Sequence, residues 1–307
     1  MNFGWDGGAT ERESFAIMDK ALEHGINFFD TANVYGYGGH GDNEGVTEQV
    51  IGRWFAQSSR RDKVVLATKV FGTMGTWPNE SRLSAKHIKL SCEASLRRLQ
   101  TDYIDLFQMH HVDRDTPWEE VWQAMEQLVQ EGKVLYIGSS NFAAWHIAQA
   151  HECARSRHLL GLVSEQSLYN LIDRTVELEV LPACEAYGLG VIPFSPLAKG
   201  VLAGGVAGAR GGRRAFAEAQ TIFERERSRL DRYHELCADL GEEPANIALA
   251  WVLANPVVTA PIVGPRTVEQ LDRTIRATEI TLEEATMQRL DEIFPGPGGA
   301  APEAYAW

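Results

Sequence analysis

The stretch INFFDTANVYG, residues 26–36, sets the reading of the whole chain. Its apolar run, Ile26–Phe29, stops at Asp30, and Tyr35 follows on the next loop. A short apolar run closed by a polar residue reads as a buried strand that delivers a side chain at its C-terminal end. The form recurs down the chain. VVLATK ends at Lys69, DLFQMH at His110, VLYIGSSN at Asn141 and LVSEQ at Gln166, while VIPFSP carries Phe194. Six successive strands ending in polar or aromatic residues point to one shared site, because the C-terminal ends of parallel strands face one side.

Between the strands lie segments with helical periodicity. Strands are expected at 26–30, 64–69, 103–109, 134–138, 161–165, 190–194 and 258–263, and helices at 11–24, 44–57, 84–99, 117–130, 142–155 and 175–187. Ser84 and Thr116 are the expected N-caps, and Gly25 and Gly132 the helix-ending glycines. Seven β/α units in line, without a linker or composition break, predict a single domain over 1–307 with an α/β fold, the (β/α)₈ TIM barrel. An open doubly wound sheet is the alternative. Residues 203–222 form a long Gly- and Arg-rich loop leading into a charged helix to about residue 240. The tail PGPGGAAPEAYAW carries too much Pro and Gly for regular structure. Only ten residues precede the first helix, so either a short piece at 1–5 stands in for the first barrel strand or the barrel is incomplete there.

The net charge is −13, which excludes a broad nucleic-acid-binding surface and requires a local basic pocket for any anionic ligand. No apolar run approaches the roughly 18 residues that cross a bilayer. The N-terminus lacks the basic and apolar regions of a signal peptide. The four cysteines, Cys92, Cys153, Cys184 and Cys237, are widely spaced and read as helical thiols in a reducing compartment. Together these features predict a cytoplasmic protein without a membrane or nucleic-acid partner.

Asp30, Tyr35, Lys69 and His110 make a chemically coherent set. A phenol with a pKa of about 10 is a poor acid at neutral pH. A neighbouring ammonium favours its phenolate, and a buried carboxylate holds the ammonium charged. Tyr35 is then able to protonate a developing alkoxide while His110 donates a hydrogen bond to the same oxygen. Such a site suits carbonyl reduction, and since no side chain supplies hydride, a nicotinamide cofactor must bind alongside. Taken singly, Asp30 is a turn residue, Tyr35 a packing residue, Lys69 a rim charge and His110 one of two ordinary histidines. Their matching positions in successive units argue for the joint reading. The GYGGHG run at 36–41 fits a dinucleotide fingerprint in letters but does not directly follow a strand. His110 and His111 point to opposite faces of a regular strand, so with Asp113 and Asp115 they are not expected to hold a metal.

With these residues in hand, the chain resembles the aldo-keto reductases over nearly its whole length. The landmarks are DTANVYG (30–36), ATKV (67–70), YIDLFQMHHVD (103–113), GSSNF (138–142), SEQSLYNL (164–171), PFSPLAKGVLAG (193–204) and PIVGPRTVEQL (261–271). The resemblance implies Asp30, Tyr35, Lys69 and His110 as a catalytic tetrad with Tyr35 the proton donor, and selects His110 over His111. It implies that Ser140, Asn141 and Gln166 bind the nicotinamide carboxamide and that Phe194 stacks on the ring. By the same resemblance, the backbone of Ser195, Pro196 and Leu197 and the Lys199–Gly200 turn follow the pyrophosphate. Gly264 and Arg266 meet the adenosine ribose, with Gln270 and Thr274 near the adenine. A guanidinium at Arg266 can pair with a 2′-phosphate, which favours NADPH/NADP+.

The chain departs from the family pattern in three places. Met1 stands where the Met of a Gly-Thr-Met-like turn after the first barrel strand is usual, which fits a misplaced start codon, a natural truncation or a seven-plus-one barrel. Thr274 replaces an Asn at the adenine, and Lys199 replaces a small residue and is expected to point to solvent. Phe3, Trp5, Trp77, the 203–222 loop with Arg210, Arg213 and Arg214, and the tail with Tyr305 and Trp307 are the expected pocket walls for a small-molecule carbonyl substrate. Two other functions fit the resemblance: a keto-sugar or sugar-nucleotide reductase, and a redox-sensing binding subunit similar to potassium-channel β-subunits.

Overall fold

A computed structural model describes residues 3–4, 8–36, 45–204 and 216–306. They pack as two compact units, one drawn from 1–165, 187–189 and 264–268 and the other from 166–186, 190–263 and 269–307.

In the first unit, strands β1 (Phe28–Asp30), β2 (Val65–Val70), β3 (Ile104–Met109), β4 (Val134–Ser140) and β5 (Leu162–Gln166) lie side by side in chain order. They alternate with helices α1 (Glu11–Glu23), α2 (Val46–Ser58), α3 (Ala85–Leu99), α4 (Trp118–Gln130) and α5 (Ala144–Ser156). The ladders from β1 to β4 are parallel, as βαβ units require. Their register sets Asp30 beside Ala67, Lys69 beside Gln108, and Gln108 beside Gly138. Strand β2 is buried on both faces except at Val65, which is why it shows no apolar–polar alternation, with Thr68 and Lys69 buried beside its apolar residues.

The helix ends follow local chemistry. Thr10 and Glu13 form a reciprocal capping box on α1, and Ser84 accepts from the His87 amide at the start of α3. Gly25 and Gly132 take left-handed φ just past α1 and α4. Thr116 does not cap α4. Its hydroxyl donates to Asp113 at 2.8 Å, and Pro117 stands at the N-cap without a side-chain bond. Helices α2 and α3 cross closely at Gly52, where a Cβ would fall 2.2 Å from the Arg98 carbonyl oxygen. A buried Glu48–Arg98 ion pair of 2.7 Å ties the same two helices.

The second unit carries α6 (Val180–Tyr187), β6 (Gly190–Val191), α7 (Ala217–Leu240), α8 (Pro244–Leu253), α9 (Val268–Ile275), α10 (Glu284–Ile293) and α11 (Glu303–Ala306). Two expected strands shrink here, both at prolines. The 190–194 strand keeps regular pairing only at Gly190–Val191, and beyond Pro193 a single bridge joins Phe194 to Leu168. The 258–263 segment forms no regular strand and bridges only at Val258. Its Thr259 amide donates to Val191, but Pro261 has no N–H for the next rung. Ile262 donates to Pro193 instead, one residue late. The tail also differs from expectation, since residues 303–306 form a short helix. Cys92, Cys184 and Cys237 are buried and Cys153 half-buried, all on helices.

Candidate active site

The first unit gathers four of the expected residues around one ammonium group. Lys69 is the penultimate residue of β2, one short of Val70, and is itself fully buried. Its Nζ donates to Asp30 Oδ2 at 2.6 Å, to the Thr31 carbonyl at 2.9 Å and to the Tyr35 hydroxyl at 3.4 Å. The loop after β1 is held in place by its backbone. Thr31 and Asn33 donate to the carbonyls of Ala67 and Lys69, and Tyr35 accepts from the Thr47 amide at the start of α2. The Tyr35 ring lies 4.8 Å from Lys69 Nζ and 5.6 Å from the His110 ring, at 80° to it.

Burial alone would push the Lys69 pKa down, but the charge of Asp30, with Tyr35 adding to it, outweighs burial and holds it above the usual lysine value. His110 behaves oppositely. Burial, reinforced by the Lys69 charge and opposed only in part by Asp30, pushes it down to about 3. The imidazole is therefore neutral across the physiological range and carries one N–H and one lone pair.

The neighbouring His111 is exposed, packs its ring 5.5 Å from Phe71 and turns Nδ1 to the Val112 carbonyl. His110 thus faces Tyr35 and His111 faces away. Asp113 is engaged by the Leu83 and Asp115 amides and the Thr116 hydroxyl.

At the end of β4, Ser140 is buried and Asn141 takes a left-handed φ of 58°. The Asn141 amide donates to the His110 carbonyl at 3.1 Å and to Ser140 Oγ at 3.0 Å. Two residues not singled out in the sequence complete this cluster. Gln108 donates Nε2 to Asp30 Oδ1 at 3.0 Å. Buried Glu165 accepts from the Ser139 hydroxyl and from the Phe142 amide, so it pins the turn that carries Asn141. The available signal was a glutamine and a glutamate inside otherwise apolar strand runs. Arg266 is half-buried just before α9, and Gly264 is exposed.

In the second unit, Gln166 is buried and Phe194 is half-buried, its amide donating to Ser167 at 2.9 Å. From Ser195 the chain turns sharply, through positive φ at Ser195, Ala198, Lys199 and Gly200, with Pro196 buried and Leu197 half-buried between. Asn170 braces this turn by donating to the Ser195 carbonyl at 3.1 Å. Lys199 does not simply extend to solvent, because it forms an ion pair with Glu218 of α7. On α9, Gln270 and Thr274 lie one turn apart, and the Thr274 hydroxyl donates to the Leu271 carbonyl at 2.7 Å. Trp77 and Tyr305 are each 70% exposed and Phe3 is half-buried. Trp5, residues 37–41 of the Gly-rich run, Arg210, Arg213, Arg214 and Trp307 lie outside the described residues.

A buried carboxylate–ammonium pair with a half-buried phenol against the ammonium, beside a neutral imidazole, is a proton-transfer centre in its chemistry. The model of the Aldo/keto reductase family matches residues 1–294. An uncharacterized oxidoreductase YrpG of Bacillus subtilis is 55% identical over 100% of this chain and 94% of its own length. Norsolorinic acid reductase A of Aspergillus parasiticus is 33% identical, covering 96% of this chain and 76% of its own. A putative voltage-gated potassium channel subunit beta of Schizosaccharomyces pombe is 34% identical, covering 96% and 87%. The chain belongs to the aldo/keto reductase family. That membership makes the fold class the (β/α)₈ barrel and the protein an oxidoreductase, in a family that acts on small carbonyl compounds and generally uses NAD(P)H.

Proposed function

We propose that this protein reduces an aldehyde or ketone to an alcohol with NADPH, Tyr35 acting as the general acid. The observation that carries the reading is the buried Lys69 ammonium, 2.6 Å from Asp30 and 3.4 Å from the Tyr35 hydroxyl. When bound, the cofactor supplies hydride to the carbonyl carbon. As charge develops on the carbonyl oxygen, Tyr35 gives it the phenolic proton. The Lys69 ammonium stabilises the phenolate that remains, and Asp30 keeps that ammonium in place. Neutral His110 donates a hydrogen bond that orients the carbonyl. The phenolate regains its proton from solvent, which closes the cycle.

Ser140, Asn141 and Gln166 would hold the nicotinamide carboxamide, with Phe194 stacked on the ring. The backbone of Ser195, Pro196 and Leu197 and the Lys199–Gly200 turn would follow the pyrophosphate, with the Ala198 and Gly200 N–H groups spent inside the turn on the Ser195 and Leu197 carbonyls. Gly264 and Arg266 would meet the ribose and its 2′-phosphate, and Gln270 with Thr274 the adenine. The Lys199–Glu218 pair keeps the Lys199 charge away from this role. The reading has the protein working in the cytoplasm on a small molecule. Among the described residues, no helix is long and apolar enough to cross a membrane.

Tyr35→Phe tests the assignment, with loss of turnover and retained NADPH binding expected. Full carbonyl reduction by that variant would remove Tyr35 as the acid. A second reading, a redox-sensing binding subunit, is favoured by the similarity to the potassium channel subunit beta of fission yeast. Negligible turnover together with tight cofactor binding and co-purification with a membrane partner would select it.

A further inference from the structure

We propose that Gln108 is a positioning residue of this site: its amide fixes the Asp30 carboxylate so that the other oxygen keeps Lys69 directed at Tyr35. The inference rests on the functional reading above. The two Asp30 oxygens are divided between two donors, Oδ1 taking Gln108 Nε2 at 3.0 Å and Oδ2 taking Lys69 Nζ at 2.6 Å. Gln108 is fully buried, so its hydrogen bond is made without competition from solvent.

The sheet register puts it there. Gln108 is the ladder partner of Lys69 on β2 and of Gly138 on β4, so all three belong to one inward layer. Glycine at 138 eases its packing, although the closer contact there is with Ser164. A Cβ there would come 3.2 Å from Gln108 Cγ and 2.5 Å from Ser164 Oγ.

The choice of an amide has a chemical reason. A second cation at this position would compete with Lys69 for Asp30, and an apolar side chain would remove the hydrogen bond on Oδ1 and loosen the orientation of the carboxylate toward Lys69. Glutamine is a neutral donor with enough reach to make that bond.

Gln108→Met tests the role, because it keeps length and volume and removes the donor. Gln108→Leu is made beside it, with thermal unfolding measured for both. The measurements are kcat, KM, NADPH affinity and the solvent deuterium isotope effect on kcat, in the wild-type and Asp30→Asn backgrounds. In the wild-type background kcat is expected to fall on the order of tenfold to a hundredfold, the effect of one hydrogen bond to a charged group. KM and NADPH affinity stay unchanged and the isotope effect rises, since proton transfer becomes more limiting. In the Asp30→Asn background the same substitution has no further effect on kcat.

An unchanged kcat and isotope effect overturns the proposal. So does an equal fall in both backgrounds, or a fall that only tracks the folded fraction. Tyr35→Phe is run in parallel. Full turnover in that variant brings down the functional reading and this role with it. An inactive Tyr35→Phe beside a wild-type-like Gln108→Met brings down the Gln108 role alone.

Discussion

The side-chain amide of Asn141 donates to the backbone carbonyl of His110 at 3.1 Å, so the turn after β4 is fastened to the end of β3. Asn141 holds this bond from a left-handed backbone, φ 58°, which an asparagine tolerates better than most residues. Asn141→Ala should therefore weaken two things at once. NADPH affinity falls because the proposed carboxamide partner is gone, and kcat falls because His110 loses its brace. Asn141→Gly relieves the backbone strain and restores stability without restoring either function. Fluorescence titration with NADPH, steady-state kinetics and thermal unfolding separate the two variants.

The lowered pKa of His110 makes stability depend on pH in a definite direction. Its folded value of about 3 lies below the ordinary 6.5, so the unfolded chain binds more protons between those values. The contribution is complete above pH 6.5 and is lost as pH falls through that window. His87, His146 and His151 are also lowered by burial and add the same sign. Urea unfolding between pH 7 and pH 4 should show stability falling, with a shallower slope for His110→Gln; an identical slope in that variant removes His110 from the account.

Lys69 titrates in the opposite sense. Its raised pKa gives stability that is present below 10.5 and is lost as pH rises through the folded value. Lys69→Met leaves the Asp30 carboxylate buried without its ammonium, which costs about 3–5 kcal/mol in comparable buried pairs. Turnover should vanish in Lys69→Met, and denaturant unfolding should show the destabilisation. Asp30→Asn, which leaves the ammonium buried beside a neutral amide, should also be destabilised.

Arg266 carries the proposed cofactor preference. Arg266→Ala should weaken NADPH binding about tenfold to a hundredfold, the range for charge-assisted hydrogen bonds, and leave NADH binding as it was. Parallel titrations with the two cofactors read this directly, and an equal loss for both would assign the arginine a structural task.

The sequence by itself determined the elements of the first unit to within a few residues. Apolar periodicity located α1 to α5 and β1 to β5, because burial of a helix face or a strand is written locally in the chain. Ser84, Gly25 and Gly132 were legible for the same reason, since a cap is chosen by its immediate neighbours. Asp30, Tyr35, Lys69 and His110 were legible as strand-end and loop residues, and their grouping as a site came from that position.

What only the tertiary structure decided is where side chains point and which distant groups meet. His110 and His111 are adjacent; strand spacing did not separate them, the resemblance chose His110, and the structure packs His110 against Tyr35 and His111 against Phe71. Gln108 reaches Asp30 because the register pairs residue 69 with 108, a match between segments far apart in the chain. Thr116 was drawn from its expected cap by Asp113, and Lys199 at the surface found Glu218, both through partners that periodicity does not reveal. Pro193 and Pro261 were visible as letters. That they displace a rung onto Ile262 followed only once the two segments lay side by side. Local burial patterns are encoded residue by residue, whereas register and side-chain partnership are set when strands far apart in the chain pair.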